Sequence, residues 1–258
     1  MTIRDRYNTP ENIRRYWLDR FFPKSSLVFY YHYLRIVLAQ RRVALKGTYD
    51  DEAWARSSLD VMRLTEKCGG RFHITGLENL RKCQGPVVLV SNHMSTLETM
   101  VFPFLIAPVM RVTFVVKESI VSNRIFGPIM RSRDPITVSR TNSREDLIKV
   151  LDQGQKLLND GISLIIFPQS TRQVEFNPEK FNTLGTKLAL KSGVQVLPIA
   201  VKTDFWGNGK RIKELGPIIR NIPIYMDFGP PMDVNGSGKE AHRAVINHIQ
   251  ENLKAWGK

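Results

Sequence analysis

Val87-Val88-Leu89-Val90-Ser91-Asn92-His93-Met94-Ser95-Thr96-Leu97-Glu98 changes character at its centre. Four apolar residues, three of them valine, run directly into polar residues that include an imidazole and a carboxylate. A run of that length and composition suits a parallel strand buried on both faces. Ligands in open α/β sheets bind beyond the carboxyl ends of such strands, so His93 stands where a substrate arrives.

Working outward from this strand, short apolar runs alternate with helical patterns from Arg71 onward, the signature of a mainly parallel sheet. Further strands are expected at residues 72–75, 112–116, 136–139, 163–167, 194–201 and 222–228. Helices are expected at 95–106, 143–159, 183–191 and 239–256, with Gly161 and Gly193 as stops and Gly229-Pro230-Pro231 separating the last strand from the last helix. The fold class is therefore α/β, a mainly parallel β-sheet flanked by helices over residues 71–258. Upstream, Leu27, Tyr31, Leu34 and Leu38 recur at helical spacing, and a second helical pattern runs from Asp51 to Lys67 before Gly69-Gly70.

Residues 1–50 hold about ten basic and four acidic side chains, roughly +6, together with Tyr16, Trp17, Phe21 and Phe22. Aromatic belts and basic flanks are what an interfacial helix uses, whereas a span needs about 20 apolar residues and His32 and Arg35 interrupt this one. The expectation for residues 1–70 is an N-terminal amphipathic two-helix appendage that associates with a membrane. The competing reading is a helix pair packed on the protein's own core. No secretory signal pattern is present, which places the mature start near Met1.

The whole chain has 258 residues, 42% of them hydrophobic, and a formal net charge of +14, so it is globular and its partner is anionic. A phospholipid surface, a phosphorylated small molecule and nucleic acid all fit that charge, but no nucleic-acid recognition motif appears. Cys68 and Cys83 are too few for a disulfide framework and lack metal-ligand spacing. Walker A, G-x-G-x-x-G, G-x-S-x-G and H-E-x-x-H patterns are absent, which removes local support for nucleotide binding, serine hydrolysis and zinc proteolysis.

What is present is an ordered set: Asn92-His93-x-x-x-x-Glu98, then Ile136-Thr137-Val138-Ser139-Arg140, then Phe167-Pro168-Gln169-Ser170-Thr171-Arg172, then Val196-Leu197-Pro198-Ile199. In this order the blocks resemble those of the glycerolipid acyltransferases, most closely the bacterial 1-acylglycerol-3-phosphate acyltransferases, over roughly residues 71 to 202. The resemblance implies transfer of a fatty acyl group from acyl-CoA or acyl carrier protein to the free hydroxyl of 1-acylglycerol 3-phosphate, giving phosphatidic acid. It implies no metal and no cofactor beyond the donor, and a location on the cytoplasmic face of a membrane, in bacteria the inner one.

The residues agree with that chemistry. An imidazole with an ordinary pKa of about 6.5 removes a proton from a hydroxyl at neutral pH, and a carboxylate on its other nitrogen fixes the tautomer. His93 is the expected general base and Glu98 its orienting carboxylate. The family has Asp where Glu98 stands, so the longer side chain calls for an altered backbone or a looser pair. Ser95-x-x-Glu98 also reads as a capping box, leaving two roles open for Glu98. Arginine grips phosphate through paired hydrogen bonds, so Arg172 is expected to hold the acceptor's phosphate, with the hydroxyls of Ser170 and Thr171 completing the cradle and Arg140 and Lys117 assisting. Gln169 and Ser170 replace the family's Glu and Gly, and with Glu98 they keep two alternatives in view. One is an acyltransferase for another lysophospholipid or glycolipid; the other is a non-catalytic binder of anionic lipid.

Overall fold

The computed structural model describes residues 5–169, 171–210 and 212–258. Among these, eight strands form one sheet: β1 (Tyr7–Asn8), β2 (Phe72–Thr75), β3 (Val88–Ser91), β4 (Val112–Lys117), β5 (Ile136–Val138), β6 (Ser163–Ile166), β7 (Val196–Lys202) and β8 (Ile224–Phe228), in the order β1-β2-β8-β7-β3-β6-β4-β5. Strands β7, β3, β6, β4 and β5 are mutually parallel, so the sheet is mainly parallel as its valine-rich runs predict. The exceptions are β8, antiparallel to β7, and β2, which pairs parallel with β8; the two-residue β1 is antiparallel to β2.

Helices cover both faces. Preceding the sheet's body are α1 (Trp17–Phe21), α2 (Leu27–Leu45) and α3 (Asp51–Lys67), and between its strands lie α4 (Leu97–Ile106), α5 (Glu118–Val121), α6 (Gly127–Arg131), α7 (Ser143–Asn159) and α8 (Leu184–Ser192). The chain closes with α9 (Lys239–Ala255). One core gathers Leu89, Phe114, Leu197 and Met226 with α3 and α4; the other gathers Val88, Val90, Leu164 and Val196 with α7, α8 and α9. Alternate residues of β3 thus feed opposite cores, which is why that strand is apolar throughout. Gly185 of α8 lies so close to β3 that a Cβ there would sit 2.5 Å from a Val90 methyl carbon. The close approach of α8 seats it firmly beneath the His93 strand.

The N-terminal helix α2 carries apolar residues on two sides. Phe29, Tyr33 and Val37 are buried in the same core as α3, α4 and the sheet, with Phe29 and Tyr33 packing edge-on against the buried Trp206 at 4.8 and 4.9 Å. The stripe read from the sequence, Leu27, Tyr31, Leu34 and Leu38, is the exposed one, and Trp17, Phe21 and Phe22 beside it are exposed as well. Among the described residues no helix is long and apolar enough to cross a membrane. The strands that end in chemistry all end on one edge: β3 at His93, β4 at Lys117, β5 at Arg140, β6 at Phe167 and β7 at Thr203.

Candidate active site

Where β3 ends, Asn92 turns inward and exchanges two hydrogen bonds with Val201 of β7, its amide donating to the carbonyl at 2.8 Å and its oxygen accepting the N–H at 2.8 Å. This pair replaces the ladder just where the strand stops, and it fixes the backbone on which His93 rides. The main chain of His93 is held from the other side by the third block: its N–H donates to Gln169 Oε1 at 2.6 Å and its carbonyl accepts from Gln173 N at 2.9 Å. Phe167 stacks on the imidazole with centroids 4.3 Å apart. The ring therefore has one position.

Glu98, fully buried on the first turn of α4, meets that ring at 2.8 Å from Oε1 to Nδ1. The same oxygen accepts from Met94 N at 2.8 Å and Ser95 N at 2.9 Å, while Oε2 accepts from Ser95 Oγ at 2.9 Å and Thr203 Oγ1 at 2.6 Å. The two readings of Glu98 coexist in part, since one carboxylate orients the imidazole and reaches back to the Ser95 amide. The helix, however, starts at Leu97, two residues later than expected, and Ser95 Oγ accepts from Leu97 N at 3.0 Å, so the capping box is only half formed. The pair is not loosened by the extra methylene. Burial alone would raise the Glu98 carboxyl, but the hydrogen bond and charge of His93, the Thr203 hydroxyl and the Ser95 amide outweigh it, and the net shift is below the ordinary 4.5. An ionised carboxylate only accepts, so Nδ1 carries the hydrogen and Nε2 is the nitrogen left to act on a bound group.

His93 lines a cavity of about 550 Å3 that runs among α2, α3, α4, β4 and α6, walled by Tyr33, Trp54, Met100, Phe114 and Phe126. Lys117 and Arg140 line the same cavity. Arg140 has φ +62°, a left-handed conformation uncommon for any residue but glycine. Asp146 of α7 holds it there by accepting the N–H of Ser139 at 2.8 Å and of Arg140 at 2.7 Å. Burial first, and the positive charge of Arg172 second, lower the Arg140 guanidinium below its ordinary value against the opposing pull of Asp146. Arg140 lines the cavity beside His93, and Arg172 lies near enough for its charge to be felt there.

Arg172 is engaged by neighbours of its own. Its guanidinium donates to Thr96 Oγ1 at 2.5 Å and forms an ion pair with Glu214, which arrives on the segment joining β7 to β8. On the same segment Lys213 Nζ donates to Thr171 Oγ1 at 2.5 Å, and Asn208 Nδ2 donates to the carbonyl of Met94 at 3.0 Å. The phosphate-binding expectation for Ser170 falls on a residue outside those described. His93, Glu98, Lys117, Arg140, Thr171 and Arg172 all lie along the one sheet edge, the dyad in direct contact and the cations around it. Thr203 and Glu214 had no assigned role from sequence. Thr203 lies just beyond the fourth block at a strand end, a position that was a usable signal; Glu214 sits in a stretch with no pattern.

The family model described as Acyltransferase matches residues 71–202, just over half the chain and the same interval that carries the four blocks. The chain belongs to the acyltransferase family. This acyltransferase is 29% identical over 204 residues to the 1-acyl-sn-glycerol-3-phosphate acyltransferase of Pseudomonas aeruginosa, covering 79% of the chain and 73% of that relative. It is 33% identical over 182 residues to a protein of the same name from Chlamydomonas reinhardtii, covering 70% of the chain and 53% of the longer algal protein. Its fold matches the crystal structure of the 1-acyl-sn-glycerophosphate (LPA) acyltransferase PlsC from Thermotoga maritima with a TM-score of 0.60 at 18% identity, over 92% of each chain. Sheet and flanking helices are thus a shared architecture.

Proposed function

We propose that this acyltransferase moves a fatty acyl chain from acyl-CoA or acyl carrier protein to the free hydroxyl of 1-acylglycerol 3-phosphate, releasing phosphatidic acid and the thiol. The observation that carries the reading is the His93–Glu98 pair, joined at 2.8 Å beside an apolar cavity whose rim holds Lys117 and Arg140. Names of relatives from Pseudomonas aeruginosa and Chlamydomonas reinhardtii point to the same acceptor.

In this reaction His93 Nε2 takes the hydroxyl proton as the oxygen attacks the thioester carbonyl, and Glu98 stabilises the imidazolium that forms. Collapse of the tetrahedral intermediate breaks the C–S bond, and the imidazolium returns its proton to the departing thiolate. Electrons and protons balance without a metal, a redox cofactor or an enzyme nucleophile. Arg172 and Arg140 hold the acceptor's phosphate, assisted by Lys117 and the Thr171 hydroxyl, while the cavity takes an acyl chain. The exposed apolar stripe of α2, with Trp17, Phe21 and Phe22, rests in the lipid interface on the cytoplasmic face of a membrane, where the acceptor is found.

Purified protein with vesicles or detergent is expected to acylate 1-acylglycerol 3-phosphate, and His93→Ala to lower that rate by about 10³- to 10⁴-fold. Intact activity in the variant removes His93 from the mechanism. Absence of activity with this acceptor, alongside acylation of another lysolipid, reassigns the substrate.

A further inference from the structure

The segment between β7 and β8 is fastened at its base and reaches the site with its tip. Arg220 donates from Nε to the carboxylate of Asp19 in α1 at 3.1 Å, and Asp19 is fully buried. Tyr30 of α2 donates its hydroxyl to the carbonyl of Gly216 at 2.5 Å and accepts from Trp206 Nε1 at 3.0 Å. Trp206 Nε1 also donates to the carbonyl of Glu214 at 3.1 Å, so the Glu214 main chain is held while its side chain reaches Arg172, and Lys213 reaches Thr171. The Glu214 side chain is 48% exposed, whereas that of Arg172 is 15% exposed.

We propose that Glu214 is a specificity-determining residue of the acceptor site, an internal anion that occupies Arg172 until a phosphate monoester displaces it. The proposal rests on the phosphate-bearing acceptor argued above. Arg140 lines the cavity beside His93, and Arg172 is hydrogen-bonded to Thr96, three residues beyond His93, so both guanidiniums lie at the site and Arg172 keeps Glu214 as its anion between substrate visits. Glu214 supplies one negative charge. A phosphate monoester supplies nearly two and has more acceptor oxygens, so it can engage both arginines and take the position of the carboxylate. Burial opposes ionisation of Glu214, but its hydrogen bond with Arg172 and the nearby cations outweigh that and hold its carboxyl below the ordinary range, so the internal anion is charged at neutral pH. Because Glu214 is half exposed on a loop, it can swing to water without the cost of stranding a buried charge. An acceptor that lacks phosphate makes no such exchange and meets Arg172 already neutralised. Selectivity then arises from a built-in competitor as well as from attraction.

The test uses the full chain and the variant Glu214→Gln. Binding of 1-acylglycerol 3-phosphate and of a monoacylglycerol in detergent is measured by calorimetry, with inorganic phosphate as a third probe, and KM is measured for both lipids. Removing the competitor is expected to tighten the phosphate lipid and inorganic phosphate by about two- to fivefold, the range of a partly exposed ion pair, and to leave the monoacylglycerol unchanged. In an Arg172→Ala background the same substitution is expected to do nothing, and Glu214→Asp, which keeps the charge, to stay nearer wild type. Weaker phosphate binding in Glu214→Gln would instead make the carboxylate a support for Arg172. That result, an equal change for both lipids, or an undiminished effect without Arg172 overturns the proposal. Wild-type protein that binds the phosphate lipid without acylating it sinks the acceptor assignment alone, because the binding ratio still reads the role of Glu214.

Discussion

Glu98 and Glu214 are carboxylates that each grip a functional side chain at the same edge of the sheet, yet Glu98 is wholly buried and Glu214 is 48% exposed. Five donors converge on Glu98, two of them backbone amides, and its partner His93 is fixed through its own backbone by Gln169 and Gln173. Among the described residues the Glu214 side chain has one hydrogen-bonding partner, Arg172, and it sits on a loop. The difference is the one expected between a group that must keep its geometry through every turnover and a group that must let go once per turnover. Rigid chemistry sits on strand ends and a helix N-terminus, and exchangeable charge sits on the loop.

The sharpest way to break that comparison is at Glu98. Glu98→Gln retains the size but loses the charge that stabilises an imidazolium, and its amide turns a donor toward donors already in place. We expect kcat to fall by about 10²- to 10⁴-fold and stability by about 2–3 kcal/mol. The pH dependence carries a sign. The folded carboxyl lies below the ordinary 4.5, so the wild type has the full contribution above that value and loses it as pH falls through the depressed one. Melting temperature against pH should therefore drop more steeply in acid for wild type than for Glu98→Gln. Parallel profiles would mean that the carboxylate is not held as an ion.

Much of this corner was legible beforehand. Helix bounds at Asp51–Lys67 and Ser143–Asn159 agree with their caps, because Asp50 accepts from Ala53 N and Asn142 from Arg144 N and Glu145 N, the side-chain chemistry that marks helix starts in sequence. Parallel strands announced themselves as Val- and Ile-rich runs, since both faces are buried. The double role of Glu98 was not legible, since it depends on how the backbone after Ser91 curls three donors onto one oxygen. Nor was Glu214, whose meaning comes entirely from Arg172, 42 residues away along the chain. The short β1 and α1 went unread as well, as two and five residues are too few to show a period.

On the exchangeable side, Arg172→Ala should act mainly on acceptor affinity. Losing charge-assisted hydrogen bonds to phosphate raises the KM for 1-acylglycerol 3-phosphate by about 10- to 100-fold. The kcat should change far less than in Glu98→Gln, provided that phosphate contacts contribute equally to ground and transition states. An equal rise in KM for a monoacylglycerol would show that Arg172 supports the fold through Thr96 and does not hold phosphate.

The smallest expected effect tests how much of the rigidity at Glu98 is redundant. Thr203 is fully buried, donates to Glu98 Oε2 at 2.6 Å and lies 3.0 Å from Ser95 Oγ. Thr203→Val preserves shape and removes one donor of five, leaving Oε2 with the Ser95 hydroxyl and Oε1 with His93 and two amides. One hydrogen bond to a charged acceptor contributes about 1.5–3 kcal/mol, and most of that should appear as lowered stability, because the remaining donors still aim the carboxylate at the imidazole. We therefore expect the unfolding midpoint to move while kcat falls only about two- to fivefold. A kcat loss matching that of Glu98→Gln would make Thr203 the group that aims the dyad, and the rigidity of this corner would then hang on β7 rather than on the turn that follows β3.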